Sequence, residues 1–209
     1  MALVTGAGKG IGRACVESLV EAGADVVAVA RTAGDLELLR DRFGARVETW
    51  ECDVRDADFL WRIEAMPALD ILVNNAGTNA PMPFVDVDAE TLGRLISLNV
   101  TAAFQTAQAA VRVMLKAAKP HGLVINMSSQ MGHVGSPNRT VYCMTKHAIE
   151  GLTKAMAVEL APQGIRVNSI APTFIETPMT RPMFENPVFA AMVLANIPLG
   201  RVRTGDHVT

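Results

Sequence analysis

A glycine-rich segment near the amino terminus constrains the fold more than any other feature of the sequence. The apolar strand Ala2–Thr5 leads into it, and the segment itself is Gly6-Ala7-Gly8-Lys9-Gly10-Ile11-Gly12. A helical pattern follows, with one apolar face made of Ile11, Cys15, Leu19 and Val20. Glycines let the backbone turn tightly and approach a ligand, and the unpaired N–H groups at a helix start suit a pyrophosphate. The spacing is T-G-x-x-x-G-x-G. A plain tight turn is the alternative, but the flanking strand and helix favour a bound nucleotide.

Apolar strands alternate with helices along the rest of the chain. Asp25–Ala30 is apolar in nearly every position, as expected of a parallel strand buried on both faces. Further strands are predicted at Arg46–Cys52, Asp70–Val73, Gly122–Met127 and Ile165–Ile170. Helices are predicted through Leu36, Leu39 and Phe43, from Asp88 to about Lys116, and over Thr140–Leu160. An irregular substrate loop over about 172–199 is expected to cover a site. This continuous series predicts one α/β domain over residues 1–209.

Composition excludes several classes of protein. Hydrophobic residues make up 50% of the chain and the formal net charge is -2, so nothing indicates a nucleic-acid or anionic-membrane partner. The three cysteines and four histidines lack the spacings of a disulfide framework or a metal site. No charged-then-apolar leader precedes the first strand, and no apolar run approaches the roughly 18 residues of a membrane span. These features predict a soluble cytoplasmic protein without a metal.

Two strand ends bear on the choice of cofactor. An NAD-dependent enzyme commonly has an acidic residue at the end of the second strand, where this chain has Ala30-Arg31-Thr32. Arg31 could bind a 2′-phosphate with help from Lys9, although Arg31 could also be an ordinary solvated charge. The missing acid favours NADP. Asp53, after the third strand, could bind an adenine amino group or belong to the start of the next helix at Asp56.

Three asparagines stand where an amide needs an explanation. Asn74 and Asn75 end the fourth strand and precede Ala76-Gly77, which suggests backbone running close to a flat ligand, with the amides pinning neighbouring strands. A polar turn is the alternative. Asn99 interrupts a helical pattern, and because its amide competes for backbone hydrogen bonds it predicts a kink or a neutral surface position.

The segment Ser129–Lys146 carries the predicted chemistry. Tyr142 is the only tyrosine, and Lys146 follows it by four residues, which puts both side chains on one face of a helix. An ammonium beside the phenol is expected to lower its pKa toward the working range. Ser129 follows a strand end and could bind a carbonyl oxygen. Tyr-x-x-x-Lys alone is a weak pattern, and many solvated helices contain it.

The glycine segment, Asn74-Asn75-Ala76-Gly77, Asn99, Ser129, Tyr142 and Lys146 occur in an order that resembles the short-chain dehydrogenase/reductase family over essentially the whole chain. The strings VTGAGKGIGR, VVAVART, INMSSQ and VYCMTK most resemble its L-xylulose (dicarbonyl) reductases and tetrameric carbonyl reductases. The resemblance implies a doubly wound Rossmann-type parallel sheet, a homo-oligomer that is a tetramer by family resemblance, and hydride transfer from NADP(H) to a small carbonyl substrate.

The resemblance also implies roles for individual residues. Tyr142 would be the acid in reduction, Lys146 would lower its pKa and hold the nicotinamide ribose, Ser129 would polarise the carbonyl, and Asn99 would place a water for proton resupply. The other implied cofactor residues are Gly6, Gly8, Lys9, Gly10, Ile11 and Gly12 at the pyrophosphate and ribose, Arg31 and Thr32 at the 2′-phosphate, Asp53 and Val54 at the adenine, Asn75, Ala76 and Gly77 at the adenosine, and Thr173, Ile175 and Thr177 at the carboxamide.

The expected substrate contacts are Gln130, Arg139 and Phe184, in addition to Ser129 and Tyr142. Arg139 replaces a histidine of the L-xylulose reductases, and Phe184 replaces a tryptophan. Family members also continue into a further helix and a seventh strand, so the carboxyl-terminal strand is expected to be missing here, which would leave a sheet edge open. Two hypotheses follow: an NADPH-dependent reductase of a small dicarbonyl or ketose (or of another ketone or a 3-oxoacyl compound), and a truncated, non-catalytic relative that acts by binding or assembly.

Overall fold

A computed structural model describes residues 1–118, 120–178 and 180–208, and its central element is a six-stranded parallel sheet. The strands of the sheet are β1 Ala2–Thr5, β2 Val26–Ala30, β3 Val47–Glu51, β4 Ile71–Asn74, β5 Gly122–Met127 and β6 Ile165–Ile170. Their spatial order is β3-β2-β1-β4-β5-β6. This is the order of a doubly wound Rossmann-type sheet, which confirms the predicted fold class.

Helices cover both faces of the sheet. They are α1 Gly10–Glu21, α2 Ala33–Phe43, α3 Ala57–Glu64, α4 Ala89–Ile96, α5 Ala103–Leu115 and α6 Thr140–Leu160. Neighbouring residues of β1 point to opposite sides: Leu3 belongs to the core shared with α3 and α5, and Val4 to the core shared with α1 and α2. A strand buried on both faces has no polar side to alternate with, which explains the continuous apolar runs in the sequence.

The strand order reverses between β1 and β4, and this reversal positions the candidate site. The loop after β1 leads to α1 on one side, and the loop after β4 leads toward α4 on the other. A crevice therefore opens beyond the carboxyl ends of these two strands, where doubly wound sheets bind their ligands.

The predicted helix from Asp88 to Lys116 is interrupted as Asn99 suggested. It divides into α4 and α5, and the segment Ser97–Ala102 between them is a π-helix. Such single-turn bulges are frequent at functional sites. Asn99 lies at the third position of this turn and is 2% exposed.

The prediction that residues 172–199 are irregular is wrong in part. This covering segment contains β7 Ile175–Glu176, α7 Arg181–Phe184 and α8 Pro187–Ala195. Strand β7 pairs in parallel with β8 Arg203–Thr204. Strand β6 forms one edge of the large sheet, and no described residue pairs with its outer side. Within the described ranges, no helix is long and apolar enough to cross a membrane.

Candidate active site

The glycine segment passes close to β4 and to the start of α1. Gly10 has a φ of 56°, in the left-handed region that favours glycine, and a Cβ there would lie 3.2 Å from the Thr177 methyl group. A Cβ on Gly12 would overlap the Gly6 carbonyl oxygen and lie 2.5 Å from Asn75 Nδ2. The loop therefore owes its close packing to the missing side chains, as the sequence indicated.

A cavity of about 410 Å³ lies beside this segment. Its walls come from the carboxyl ends of β1, β2, β3 and β4 and from the covering segment. Most of the predicted cofactor residues line it: Gly6, Gly8, Lys9, Gly10, Ile11, Gly12, Arg31, Thr32, Asp53, Val54, Asn75, Ala76, Gly77 and Thr177. The donors and the glycine cradle fit an elongated dinucleotide, with backbone N–H groups at the start of α1 available to its phosphates.

Charges at the β2 end of this cavity differ from the prediction. The argument for NADP assumed that no carboxylate stands near a bound phosphate, yet Asp35 lines the cavity and its Oδ2 lies 3.3 Å from Lys9 Nζ. Arg31 Nη1 lies 3.9 Å from Asp53 Oδ2. The end of β2 itself has no acid, as predicted, but the first turn of α2 folds back toward the glycine segment and brings the Asp35 carboxylate to the cavity wall.

Asp53 is held by Arg55. The guanidinium donates to both Asp53 carboxylate oxygens, at 2.9 and 2.6 Å, and these hydrogen bonds lower the pKa of the carboxyl. Asp56 occupies the cap position of α3 without a side-chain capping bond. Asp53 thus stays ionised at the edge of the cavity, and its carboxylate already has a partner.

Asparagines join the strand ends, which confirms that their amides pin neighbouring strands. Asn75 Nδ2 donates to the Thr5 carbonyl oxygen at 2.9 Å and to the Gly6 carbonyl oxygen at 3.2 Å. Asn74 Nδ2 donates to the Ala103 carbonyl oxygen and to Asn126 Oδ1. These bonds fix β1, β4 and β5 relative to α5 at the switch point of the sheet.

Asn99 holds the segment after β4 with two reciprocal hydrogen bonds. Its Oδ1 accepts from the Thr78 N–H at 2.9 Å, and its Nδ2 donates to the Thr78 carbonyl oxygen at 2.8 Å. Nδ2 also lies 3.2 Å from Thr145 Oγ1, next to Lys146 in sequence. The π-turn thus lets one amide connect the segment beside the cavity to α6.

Tyr142 and Lys146 lie one helical turn apart in α6, as predicted. Lys146 Nζ is 5.7 Å from the centroid of the Tyr142 ring and donates to the Met127 carbonyl oxygen at 2.7 Å. Ser129 precedes the short turn Gln130–Gly132, and its Oγ accepts from the Met131 N–H at 3.2 Å. Ser129 and Tyr142 line one cavity together. The structure therefore brings the three predicted side chains to the same end of the sheet.

Burial controls the pKa values of this group. It raises the pKa of Tyr142, and the nearby Ser129 hydroxyl and the Arg139 charge oppose that rise without cancelling it. The net pKa of the phenol is therefore raised and not lowered as expected, and Lys146 is not among the groups that shift it, so its effect on the phenol stays a prediction. Burial also lowers the pKa of Lys146 to about 8, with the Glu150 charge opposing. A neutral phenol is the form that a general acid requires.

Glu150 is a site residue that the sequence reasoning missed. It follows Lys146 by one further turn of α6, is 6% exposed, and accepts from Ser169 Oγ at 3.0 Å. His133 Nε2 lies 3.4 Å from its other carboxylate oxygen. Burial raises the pKa of Glu150, but its hydroxyl neighbours and nearby positive groups outweigh burial and lower it. The spacing Tyr142, Lys146, Glu150, at intervals of four, was the available signal.

A second, smaller cavity of about 80 Å³ adjoins the first. Gly77 and Thr177 line the larger cavity, whereas Asn79 and Thr180, only a few residues away in the chain, line the smaller one. Its walls are Asn79, Ser129, Gln130, Met131, Arg139, Tyr142, Thr173, Phe174, Thr180 and Met183. This arrangement puts the phenol beside a space for a small substrate.

Some predicted contacts lie elsewhere. Thr173 lines the smaller cavity and donates to Gln130 Oε1 at 2.9 Å, while Ile175 lines neither cavity and is buried. Phe184, expected to touch substrate, instead packs edge-on against Phe174 at 5.9 Å. Phe174 and Met183 reach the cavity in its place. Contacts from a covering segment depend on its local fold, which the sequence pattern did not reveal.

Comparison with known proteins agrees with this architecture. A family model described as short chain dehydrogenase matches residues 1–187. The chain is 43% identical to the L-xylulose reductase of Bos taurus over 99% of this chain and 84% of that relative. It is 40% identical to the carbonyl reductase (NADPH) 2 of Sus scrofa, with the same coverage of both chains.

A solved structure shares the fold over nearly the whole chain. It is that of a gluconate 5-dehydrogenase from Burkholderia cenocepacia in complex with NADP and tartrate, with a TM-score of 0.91 and 32% identity. The match covers 99% of this chain and 84% of that one. The protein therefore belongs to the short-chain dehydrogenase/reductase family and is an oxidoreductase of CH–OH and C=O groups with a nicotinamide cofactor.

Proposed function

We propose that the protein is an NADPH-dependent carbonyl reductase of a small dicarbonyl or ketose, with Tyr142 as the general acid. The observation that carries this proposal is the position of Tyr142 and Ser129 on the wall of a small cavity that adjoins the dinucleotide-sized one. The names of the L-xylulose and carbonyl reductases similar to this chain support the same substrate range. The assembled site favours an enzyme over the non-catalytic hypothesis.

Each residue of the site has a separate role in the proposed reaction. When bound, the reduced nicotinamide would supply the hydride to the carbonyl carbon. Tyr142 Oη donates a proton to the carbonyl oxygen, and the Ser129 hydroxyl donates a hydrogen bond to the same oxygen. Lys146, charged below a pKa of about 8, stabilises the phenolate that results and holds the ribose hydroxyls. Asn99 positions a water for proton resupply.

We assign each group of cofactor residues to one part of a dinucleotide in the larger cavity. The N–H groups of the glycine segment bind the pyrophosphate, and Val54 and Asp53 border the adenine. Lys9, Arg31 and Thr32 bind the 2′-phosphate, against the opposing charge of Asp35. Ala76 and Gly77 border the adenosine, and Thr177 holds the carboxamide. NADPH is favoured because Lys9 and Arg31 both border the cavity and Arg31 is only loosely paired.

The exposed faces of α5 and α6 support a homo-oligomer. Phe104 is 48% exposed, Met144 is 48% exposed and Val158 is 80% exposed. Large exposed apolar side chains on two helices favour a protein partner over solvent. We propose that this partner is a second copy of the chain, and light scattering after size-exclusion chromatography would show a mass above that of one chain.

Fluorescence titration of the protein with NADPH and with NADH tests the cofactor assignment, with circular dichroism as the folding check. We expect tighter binding of NADPH, followed by NADPH oxidation when diacetyl or L-xylulose is added. A folded protein that binds neither nucleotide would contradict the proposal and support the non-catalytic hypothesis.

A further inference from the structure

Arg139 is the charged residue of the smaller cavity. Of the ten described residues that line this space, the others are neutral side chains. Arg139 shares the wall with Ser129 and Tyr142, and its positive charge opposes the effect of burial on the pKa of the phenol. A formal charge on the same cavity wall as Ser129 and Tyr142 bears on the choice of substrate.

The backbone at the start of α6 directs Arg139 to this wall. Asn138 has a φ of 59°, a left-handed conformation that asparagine tolerates better than most residues. Its carbonyl oxygen accepts from the Met82 N–H at 2.9 Å, which fixes the turn. Arg139 then occupies the cap position of α6 without a side-chain capping bond, and its Nη2 lies 3.5 Å from Met183 Sδ.

Arg139 differs from other arginines of the chain in its partners. Arg31, Arg55 and Arg181 each lie against a carboxylate. Among the described residues, no carboxylate pairs with Arg139, and the first turn of α6 contains no acidic residue. A guanidinium binds a carboxylate through two parallel hydrogen bonds, so this cation matches an anionic ligand that enters the cavity.

A second lining residue has an unsatisfied acceptor. Asn79 Oδ1 is buried and has no hydrogen-bond partner among the described residues. A buried polar atom without a partner costs about 1–3 kcal/mol, so rotation of the Asn79 side chain toward the cavity, where a ligand supplies a donor to Oδ1, would relieve that cost. A hydroxyl group supplies that donor, whereas an alkyl group does not.

We propose that the substrate is a short hydroxylated oxo acid, whose carboxylate binds Arg139 and whose hydroxyl donates to Asn79 Oδ1. This inference rests on the proposed carbonyl reductase function and assigns it an acidic substrate in place of a neutral dicarbonyl or ketose. In the reaction, hydride from NADPH forms the new C–H bond, the C=O double bond becomes a single bond, and the Tyr142 proton completes the alcohol. The carboxylate is unchanged, and NADPH is oxidised to NADP⁺.

Matched substrates separate the charge from the carbon skeleton. The purified protein with NADPH would be given pyruvate and methyl pyruvate, and then acetoacetate and methyl acetoacetate, in which the carboxyl group lies one carbon farther from the ketone. For at least one pair, Arg139→Gln should lower the acid-to-ester ratio of kcat/KM by about 10- to 100-fold, since charge-assisted bonds are lost. Arg139→Lys should recover part of the ratio.

Arg181→Gln is the matched control, because Arg181 is an exposed cation of the covering segment and does not line the cavity. It should leave the ratio unchanged. An acid-to-ester ratio that is the same in the wild type and in Arg139→Gln for both pairs would overturn the assignment, whatever the absolute rates.

A separate pair of substrates tests the role of Asn79. Hydroxypyruvate and pyruvate differ by one hydroxyl group beside the ketone. Asn79→Leu should lower the hydroxypyruvate-to-pyruvate ratio of kcat/KM by about tenfold relative to the wild type. An unchanged ratio would remove the hydroxyl from the proposal and leave the carboxylate.

Wild-type inhibition keeps the test independent of how the variants fold. Propionate should inhibit diacetyl reduction competitively at concentrations where the neutral propionamide does not. If diacetyl is reduced and the two compounds inhibit equally, the reductase assignment stands and the oxo-acid inference fails. If no carbonyl is reduced, the proposed function fails, and thermal stabilisation of the NADP⁺-bound protein by propionate but not by propionamide decides whether an anion site exists.

Discussion

Lys146 Nζ lies 5.7 Å from the Tyr142 ring and donates to the carbonyl oxygen of Met127, so the helix and β5 hold the ammonium together. This bond fixes Lys146 at the carboxyl end of the sheet, one helical turn from the phenol. It also places the charge where little water reaches it, since Lys146 is 6% exposed.

Buried Lys146 should make stability depend on pH. Its folded-state pKa of about 8 lies below the ordinary value of 10.5, so the unfolded state binds more protons between these values. The cost of burying the charge is fully present below pH 8 and is relieved as the pH rises toward 10.5. The free energy of unfolding of the wild type relative to Lys146→Met should therefore rise by up to ~3 kcal/mol over this range.

Denaturant unfolding at a series of pH values measures this difference. Burial raises the pKa of the Cys15 thiol to about 11, but Cys15 titrates in both proteins and its contribution cancels. Lys116→Met, at an exposed position, is the control and should show no such slope. A wild-type minus Lys146→Met difference that does not change with pH would contradict the lowered pKa.

The Glu150 carboxylate should support the charge of Lys146. Glu150→Gln removes the negative charge that opposes burial, so the pKa of Lys146 should fall further. In the unfolding experiment, the rise in stability with pH should then begin at lower pH than in the wild type. Glu159→Gln, on an exposed position of the same helix, should leave the profile in place. Coincident profiles for Glu150→Gln and the wild type would show that Glu150 does not influence Lys146.

The helices, the sheet and the catalytic group could be predicted from local patterns in the sequence. Strands buried on both faces and the four-residue spacing of Tyr142 and Lys146 are properties of the sequence itself. The direction of the shift in the Tyr142 pKa could not be predicted from the sequence, because it depends on how much water reaches the phenol in the folded protein. Asp35 was missed for a similar reason: its place beside Lys9 depends on how α2 folds back against the glycine segment.

Charge near Arg31 should set the cofactor preference. Asp35→Asn removes a carboxylate beside the expected 2′-phosphate and should raise the ratio of NADPH to NADH affinity by several-fold, about the effect of a partly exposed ion pair. Arg31→Asp should move the ratio toward NADH. Fluorescence titration with both nucleotides measures the ratio, and Arg42→Asn, in the last turn of α2 and outside the cavity, is the control. Unmoved ratios in both variants would mean that the 2′-phosphate binds elsewhere.

Two helical glycines should respond in opposite ways to alanine. Gly12→Ala places a Cβ against the Gly6 carbonyl oxygen and Asn75, so it should destabilise the protein by about 1–3 kcal/mol and weaken nucleotide binding. Gly93→Ala in α4 meets no atom within 4 Å and should stabilise by about 0.5–1 kcal/mol. Thermal unfolding and NADPH titration distinguish them. Equal effects of the two substitutions would contradict the close approach at Gly12.

The central claim is that Tyr142 donates the proton to the carbonyl oxygen, and the rate of NADPH oxidation by Tyr142→Phe with diacetyl tests it most directly. The variant keeps the ring and should fold and bind NADPH as the wild type does, because only the hydroxyl is removed. We predict a loss of about 100-fold or more in kcat, the usual contribution of a positioned general acid. A folded, NADPH-binding Tyr142→Phe protein that reduces diacetyl at the wild-type rate would contradict the account.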